Sequence, residues 1–254
     1  ILATRISINN NHKNTPKTFS ESIKILFNNK DINNNSIPLI SKKLYEIVNQ
    51  NSELLNKTIV INRDYDFDYF AFKTLEKSYL FKIGDKIIER IQYMFMRVSL
   101  GIHQYNLEKA IKSYNFMSQK LFIHSTPTLF HSGTKNPQLL SCFLLGMDDS
   151  LSSIYKNMSD CAKISKWAGG IGIHINNIRS KDSIIRGTNG TTNGIIPMLR
   201  CFNETSKYIN QSGKRNGSFS IYLEPHHPEI LDFLELRKNQ GLEDERTRDL
   251  FTAL

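Results

Sequence analysis

The fold of this chain is decided by the stretch Ser141-Cys142-Phe143-Leu144-Leu145 and by the alternation of patterns that follows it. This stretch is a short apolar strand, and a helical pattern from Ser150 to Lys166 comes after it. A buried strand from Gly172 to Ile175, a helix from Ile195 to Ile209 and a strand from Ser218 to Leu223 continue the order. Strands that alternate with helices of this length predict parallel β-α-β units, in a sheet or a barrel.

The sequence before residue 131 predicts helices, because its apolar residues recur at helical spacing. The predicted elements are a helix that Thr15 and Pro16 begin, a helix from about Ser41 with Leu44, Ile47 and Val48 facing inward, a helix over Tyr69 to Ser78, a hairpin around Gly84-Asp85, and helices over Ile91 to Leu100 and Leu107 to Leu121. The sequence therefore predicts a helical domain over residues 1–130 and an α/β domain over residues 131–254.

The charge balance leaves nucleic acid or acidic lipid open as partners, because 33 Lys and Arg against 24 Asp and Glu give a net charge of +9. No run reaches the roughly 18 to 20 apolar residues that span a bilayer, and the run Met94 to Gly101 contains Arg97. Three cysteines, Cys142, Cys161 and Cys201, have no CxxC spacing, which favours a reducing compartment. We therefore expect a cytoplasmic chain without a membrane span or a secretory signal.

Two loops are rich in glycine and asparagine. The first leads from Gly169 to Gly172, and through Arg179 to the run from Arg186 to Gly194, directly before a helix; the second runs from Asn210 to Gly217. Glycine lets backbone amides approach a ligand, a helix N-terminus favours phosphate, and Lys and Arg add charge-assisted hydrogen bonds. The loops fit a nucleotide with a polyphosphate, although ordinary turns have the same composition. Neither loop is a Walker A motif or a dinucleotide-binding fingerprint.

The cysteines also have two interpretations. A cysteine inside a short strand, such as Cys142, is commonly an inert buried residue, and the same interpretation applies to Cys161 and Cys201. The other interpretation of Cys142 is a reactive thiol. No metal site is predicted, because no histidine has a carboxylate partner at metal-ligand spacing.

Several short blocks stand in order along the chain. They are Asn62-Arg63-Asp64, Met96-Arg97-Val98-Ser99, Pro127-Thr128-Leu129-Phe130, Pro137-Gln138-Leu139, Ala168-Gly169-Gly170-Ile171-Gly172, Gly187-Thr188-Asn189-Gly190, Pro197-Met198-Leu199-Arg200, Ile221-Tyr222-Leu223-Glu224-Pro225 and Arg248-Asp249-Leu250-Phe251. In this order they resemble the large, catalytic subunit of class I ribonucleotide reductase, of the eukaryotic and viral type. The resemblance extends over nearly the whole chain.

The resemblance implies a helical N-terminal domain followed by the first part of a ten-stranded α/β barrel. The implied activity is radical-based reduction of ribonucleoside diphosphates to deoxyribonucleoside diphosphates. Cys142 is implied to belong to a redox pair that faces the ribose, to supply a proton as the 2′ hydroxyl leaves as water, and to close a disulfide. The residues that match contacts to the nucleoside diphosphate are Thr126, Ser141, Ala168 and Gly170.

The resemblance also implies that ATP or a deoxynucleoside triphosphate binds as an allosteric effector. The matching residues are Asp149, Ser150, Leu151, Lys166 and Arg179 for the effector site, Arg186 and Gly187 for a first effector loop, and Gln211, Lys214 and Arg215 for a second loop. No covalently bound cofactor and no metal is implied in this chain. Asn210 and Asn216 depart from the family's pattern in the second loop, which leaves the rule of base selection open.

The implied partners are a small, metal-containing subunit that generates the radical, a second large subunit, and thioredoxin or glutaredoxin. Neither nucleic acid nor a membrane is implied. The chain starts with Ile1 and stops at Leu254 inside an apolar run, so we expect a fragment of a longer chain. The radical-bearing cysteine and the partner of Cys142 are then expected after Leu254, and an ATP-binding domain before Ile1.

Three alternatives stay open. One is a degenerate homologue that binds nucleotides without catalysis. Another is a class II reductase that depends on adenosylcobalamin. The third is a nucleic-acid-binding module, which the charge suggests and which salt-dependent DNA binding without nucleotide preference would support.

Overall fold

The computed structural model describes residues 2–209 and 218–254, and the statements below concern those residues. The chain divides into two units, Ile1–Leu139 and Leu140–Leu254. The first unit contains α1 (Leu2–Asn14), α2 (Phe19–Phe27), α3 (Lys42–Gln50), α4 (Ser52–Thr58), a 3₁₀ turn (Ile61–Asp66), α5 (Tyr69–Ser78), β1 (Lys82–Ile83), β2 (Lys86–Ile87), α6 (Ile91–His103), α7 (Leu107–Ser118) and α8 (Thr126–His131). The helical prediction for the first part of the chain is confirmed.

Helix α6 forms the centre of the helical unit. Every residue from Ile91 to Leu100 is buried, as expected of a helix that is apolar on nearly all sides. Helix α7 packs against it and buries Ala110, Tyr114 and Met117. The short hairpin of β1 and β2 around Gly84 is also confirmed.

One predicted helix start is wrong. Helix α2 begins after Thr18, not at Thr15 and Pro16. The Thr18 hydroxyl accepts a hydrogen bond from the Glu21 amide, and the Glu21 carboxylate accepts one from the Thr18 amide. This reciprocal capping box satisfies two amides that would otherwise lack partners, whereas the Thr15 hydroxyl donates to the Asn11 carbonyl at the end of α1. The predicted start of a helix at about Ser41 is confirmed, and the Ser41 hydroxyl caps α3 because it accepts from the Leu44 amide.

A buried ion pair joins α6 to the segment before it. Arg97 and Glu89 are both fully buried, and Nε of Arg97 lies 2.6 Å from Oε1 of Glu89. The guanidinium also donates to the carbonyls of Ser132 and Leu129, and the carboxylate accepts from the Phe81 amide. The pair therefore satisfies three backbone groups in two other segments of the unit, the one at Phe81 and the one at the end of α8.

The second unit contains β3 (Cys142–Gly146), α9 (Leu151–Lys166), β4 (Gly170–His174), α10 (Ile195–Ile209), β5 (Phe219–Tyr222), α11 (Ile230–Glu235), a 3₁₀ turn (Glu243–Glu245) and β6 (Phe251–Ala253). The strands form a parallel sheet in the order β3-β4-β5-β6. Ile171, Ile173, Phe219 and Ile221 are buried in its core. The predicted β-α-β units are confirmed, and the apolar run at residues 250–254 contains a fourth strand that the sequence analysis did not assign.

No helix among the described residues is long and apolar enough to cross a membrane.

Candidate functional site

The thiol of Cys142 lies at the edge of the parallel sheet where the strands begin. Cys142 is the first residue of β3 and pairs with Gly170, the first residue of β4. The Gly170 amide donates to the Ser141 carbonyl at 2.8 Å. A Cβ on Gly170 would lie 3.8 Å from the Cys142 sulfur, 3.5 Å from the Ser141 carbonyl oxygen and 3.7 Å from the Ser218 hydroxyl. The structure therefore brings Ser141, Cys142 and Gly170 together, and it adds Ser218.

The structure decides between the interpretations of the cysteines. Cys142 is exposed, so its interpretation as an inert buried residue is wrong for this chain. Cys201 is also exposed on α10, because it lies outside the stripe of α10 that packs on the sheet. Cys161 is buried as predicted, and this burial, with the charge of Asp160 next to it, raises the pKa of its thiol to about 12.

A tight turn between α9 and β4 places Gly170 next to the thiol. Ala168 has a φ of +63°, in the left-handed region, and its amide donates to the Ser165 carbonyl. At Gly169 a Cβ would meet Cγ2 of Ile164 at 2.5 Å, so this position has no room for a side chain. Gly170 has room, yet it carries no side chain. Packing explains the glycine at 169, whereas the glycine at 170 keeps the surface beside Cys142 uncovered.

Thr126, which the resemblance also matched to the substrate, is the first residue of α8 in the helical unit. Its hydroxyl lies 3.0 Å from the Tyr79 hydroxyl. The hydroxyl is thus held in place within its own unit. Its contact with substrate stays a prediction.

A second group of predicted residues meets where β3 leads into α9. Nε of Arg179 donates to the Asp149 carboxylate at 2.6 Å, and both side chains are about one-third exposed. Ser150 caps the N-terminus of α9, because its hydroxyl accepts from the Ser153 amide, and Leu151 is exposed. The structure therefore brings together four of the five residues that matched the effector site.

These four residues line an open groove of about 520 Å³. Apolar side chains from α9 and α10, among them Ile154, Tyr155 and Met198, form much of its surface. The N-terminus of α9, a helix of 16 residues, and the Arg179 guanidinium supply positive charge at one side. An apolar surface beside this charge suits a nucleotide, whose base is flat and whose phosphates are anionic.

The segment from Lys181 to Gly194 forms a narrow loop beside this groove. The Asp182 amide donates to the Thr192 carbonyl, and the Thr192 amide donates to the Ser183 carbonyl. Arg186 and Gly187 lie exposed at its far end, and Gly187 has a φ of +89°, which favours glycine. The guanidinium of Arg179 donates to the Ile184 carbonyl, so the ion pair with Asp149 also touches this loop.

Comparison with known proteins decides the family. Residues 140–254 match the family model described as ribonucleotide reductase, barrel domain, and residues 65–137 match the one described as ribonucleotide reductase, all-alpha domain. The chain belongs to the ribonucleotide reductase family. The barrel-domain match covers the whole parallel sheet, so the predicted fold class, a helical domain followed by part of an α/β barrel, is confirmed.

The relatives named ribonucleoside-diphosphate reductase large subunit align with the whole chain. The chain is 53% identical to the protein of Arabidopsis thaliana, 53% identical to that of Dictyostelium discoideum and 54% identical to that of Variola virus. It spans 31%, 30% and 33% of their lengths, respectively, or about a third of these relatives.

Some predicted site residues of this ribonucleotide reductase chain are not among those that the structure brings together around Cys142 and around Asp149. Lys166 is the last residue of α9, whereas Asp149 precedes the first. A helix of 16 residues is about 24 Å long at a rise of about 1.5 Å per residue, so Lys166 lies far from Asp149 within one chain. Gln211, Lys214 and Arg215 lie outside the described residues. The roles of these four residues stay predictions.

Sequence reasoning missed Ser218 and Glu229. Ser218 precedes β5, and its carbonyl accepts from the Ile171 amide, so its place beside Cys142 follows from strand register. Glu229 is a buried carboxylate that contacts the loop at residues 181–194. Glu229 directly precedes α11, whose first turn also contains Asp232, so the pattern alone does not separate it from a surface carboxylate.

Proposed function

We propose that this chain is part of a ribonucleoside-diphosphate reductase large subunit, which reduces ribonucleoside diphosphates to deoxyribonucleoside diphosphates. The observation that carries the proposal is the exposed thiol of Cys142 at the sheet edge, beside the uncovered backbone of Gly170. The similarity to the ribonucleoside-diphosphate reductase large subunits of Arabidopsis thaliana and Variola virus supports it.

The chemistry assigned to Cys142 is that of a reductant. A thiyl radical elsewhere in the barrel removes the 3′ hydrogen of the ribose, Cys142 gives a proton to the departing 2′ hydroxyl, and water leaves. Cys142 and a second thiol then close a disulfide and give two electrons to the sugar, and the 3′ hydrogen returns. The net change is one ribonucleotide and one dithiol to one deoxyribonucleotide, one water and one disulfide.

The substrate is proposed to lie over the start of β3 and β4. The residues assigned to it are Thr126, Ser141, Ala168 and Gly170. Small residues at 168 and 170 let the nucleotide approach the backbone, and the hydroxyls at 126 and 141 offer hydrogen bonds to its polar groups. The pairing of Cys142 with Gly170 supports this assignment, because it sets the thiol beside that backbone.

The groove at the N-terminus of α9 is proposed to bind ATP or a deoxynucleoside triphosphate as an effector. The Asp149 carboxylate suits a sugar hydroxyl, and Arg179 suits a phosphate. Ser150, Leu151, Arg186 and Gly187 are assigned to the same ligand. Lys166 is also assigned to an effector, and because it lies far from Asp149 within one chain, the Lys166 of the second large subunit would supply this contact. Gln211, Lys214 and Arg215 are assigned to the coupling between effector and substrate, which requires a difference in contact free energy between two loop states.

The partners and location follow from the same proposal. A small, metal-containing subunit supplies the radical, a second large subunit completes a homodimer, and thioredoxin or glutaredoxin reduces the disulfide. We propose a cytoplasmic location. Several of the assigned residues are cations that are proposed to bind the phosphates of free nucleotides. Part of the net charge of +9 is then explained without nucleic acid.

The test is Cys142→Ser in the full-length protein, assayed with its small subunit and a dithiol. Turnover is expected to disappear, whereas the affinity for a nucleotide effector stays at the wild-type value, because the groove lies at the other end of β3. Cys201→Ser is the matched control, since it also removes one exposed thiol. Because Cys201 lines the proposed effector groove, turnover is compared at saturating effector, where this variant should match the wild type. Full activity of Cys142→Ser would refute the assignment.

A further inference from the structure

The carboxylate of Glu229 closes the base of the loop at residues 181–194. Its Oε2 accepts a hydrogen bond from the Lys181 amide at 3.0 Å and another from the Ile195 amide at 3.1 Å. These amides stand at the two ends of the loop, 14 residues apart in sequence by their numbers (195 minus 181). One side chain thus joins both ends of a loop to which it does not belong.

The carboxylate of Glu229 is buried between the end of the loop and the start of α10. Glu229 is 6% exposed, and Ile195 is the first residue of α10, so the carboxylate lies at the positive end of a 15-residue helix. Gly194 has a φ of +80°, and a Cβ there would lie 2.2 Å from Oε1 of Glu229. The loop end is therefore shaped to fit around the carboxylate.

His227, two residues before Glu229, contacts the residue before Arg179. Nε2 of His227 donates to the Ile178 carbonyl at 2.9 Å, and Nδ1 accepts from the Glu229 amide at 3.2 Å. His227 and Glu229 together hold the chain on both sides of Arg179, at Ile178 and at Lys181. Arg179 lies between these two supported residues, and its guanidinium contacts Asp149.

We propose that Glu229 is a positioning residue for effector binding. It does not touch the nucleotide. It fixes the ends of the loop at residues 181–194 and thereby holds Arg179 towards the groove and Arg186 at the tip of the loop. This inference rests on the proposed effector site. It adds a residue whose loss lowers the affinity for the effector, although the residue itself does not contact the effector.

The test compares Glu229→Gln with Asp232→Asn in the full-length protein. Both variants remove one negative charge from the same part of the chain, but Asp232 is exposed on α11, whereas Glu229 binds the loop ends. Glutamine presents an NH₂ group or a weaker acceptor to the two amides. We expect the Kd of a deoxynucleoside triphosphate to rise at least about tenfold for Glu229→Gln and to stay within about twofold for Asp232→Asn.

Two further readouts separate positioning from a general loss of structure. Amide hydrogen exchange at Lys181 and Ile195 should accelerate in Glu229→Gln, and turnover at saturating effector should stay close to wild type. Glu229→Asp keeps the charge but shortens the side chain, so it should show an intermediate Kd and serves if the glutamine variant does not fold.

The outcomes are distinct. If the wild-type protein binds no nucleotide in the groove, the proposed effector site and this inference are both wrong. If the wild type binds and Glu229→Gln binds equally well, only the inference is wrong, even if exchange at Lys181 and Ile195 accelerates.

Discussion

The substitution Gly170→Ala, which adds one methyl group, tests whether residue 170 is a glycine because of substrate binding or because of packing. In Gly170→Ala the new Cβ would lie 3.5 to 3.8 Å from its three nearest neighbours, which are the Ser141 carbonyl, the Ser218 hydroxyl and the Cys142 sulfur. These are ordinary van der Waals distances, so neither the strand nor its neighbours need to move. The methyl group nevertheless covers the backbone on which the ribose is proposed to lie.

The expected effects on stability and on turnover are therefore very different. Alanine restricts the unfolded chain and fits the folded one, so the free energy of unfolding should change by less than about 1 kcal/mol. A methyl group displaces a substrate that lies on the backbone by about 1 Å, and a misplacement of that size costs on the order of 100-fold in rate. We expect turnover to fall by about this factor at an unchanged melting temperature.

Two other glycines provide controls for this assay, which measures dithiol-dependent turnover and thermal unfolding of the full-length protein. Gly146 ends β3, and a Cβ there has no neighbour within 4 Å, so Gly146→Ala should leave both quantities unchanged. Gly169→Ala should instead destabilise the fold by about 1–3 kcal/mol, since its Cβ would meet Ile164 at 2.5 Å. Wild-type turnover of Gly170→Ala would refute the substrate position, and strong destabilisation would show that packing alone explains the glycine.

Two further predictions concern the buried groups. Burial raises the pKa of the Cys161 thiol from 9.0 to about 12, so the folded state holds this proton more tightly than the unfolded state does. This difference stabilises the fold fully below pH 9, and the stabilisation declines as the pH rises towards 12. Urea unfolding at pH 8 and pH 10 should show less decline in Cys161→Ala, and thiol reagents at pH 8 should modify Cys142 and Cys201 but not Cys161. Arg97→Met leaves the Glu89 carboxylate buried without its partner and should lower the free energy of unfolding in urea by about 3–5 kcal/mol. The double variant Glu89→Gln with Arg97→Met should lose less stability than the two single variants added together. Additive losses would contradict this.

The helices of the first unit were predictable because their sequences carry the information locally. Helix α6 is apolar on nearly all sides, and α7 repeats its apolar residues at helical spacing, so both were assigned correctly. The start of α2 was assigned to Thr15 because a Thr-Pro pair commonly begins a helix. The pair of Thr18 and Glu21 supplied the stronger signal, because it satisfies two amides at once.

The cysteines show what a local pattern does not decide. Cys142 lies in a strand with one half-buried side, and Cys201 lies in a helix with one buried side. Which side of each element is exposed depends on its neighbours. Ser218 is 76 residues from Cys142 by their numbers (218 minus 142), and only the parallel register of β3, β4 and β5 brings it near. Site residues of this kind follow from the sheet and not from any motif.

The separation of the two groups of residues restricts how the proposed effector and the proposed substrate would communicate. Strand β3 begins at Cys142 and ends at Gly146, three residues before Asp149, so about 13 Å of strand lies between the two sites at about 3.3 Å per residue. Strands β3 and β4 pair over five residues, and we expect such a hydrogen-bonded ladder to keep one arrangement. Coupling requires an element with two arrangements whose balance both ligands change. We therefore expect the coupling to pass through loops that flank the ladder, and the loop that Glu229 holds at both ends is the described segment whose position bears directly on Arg179.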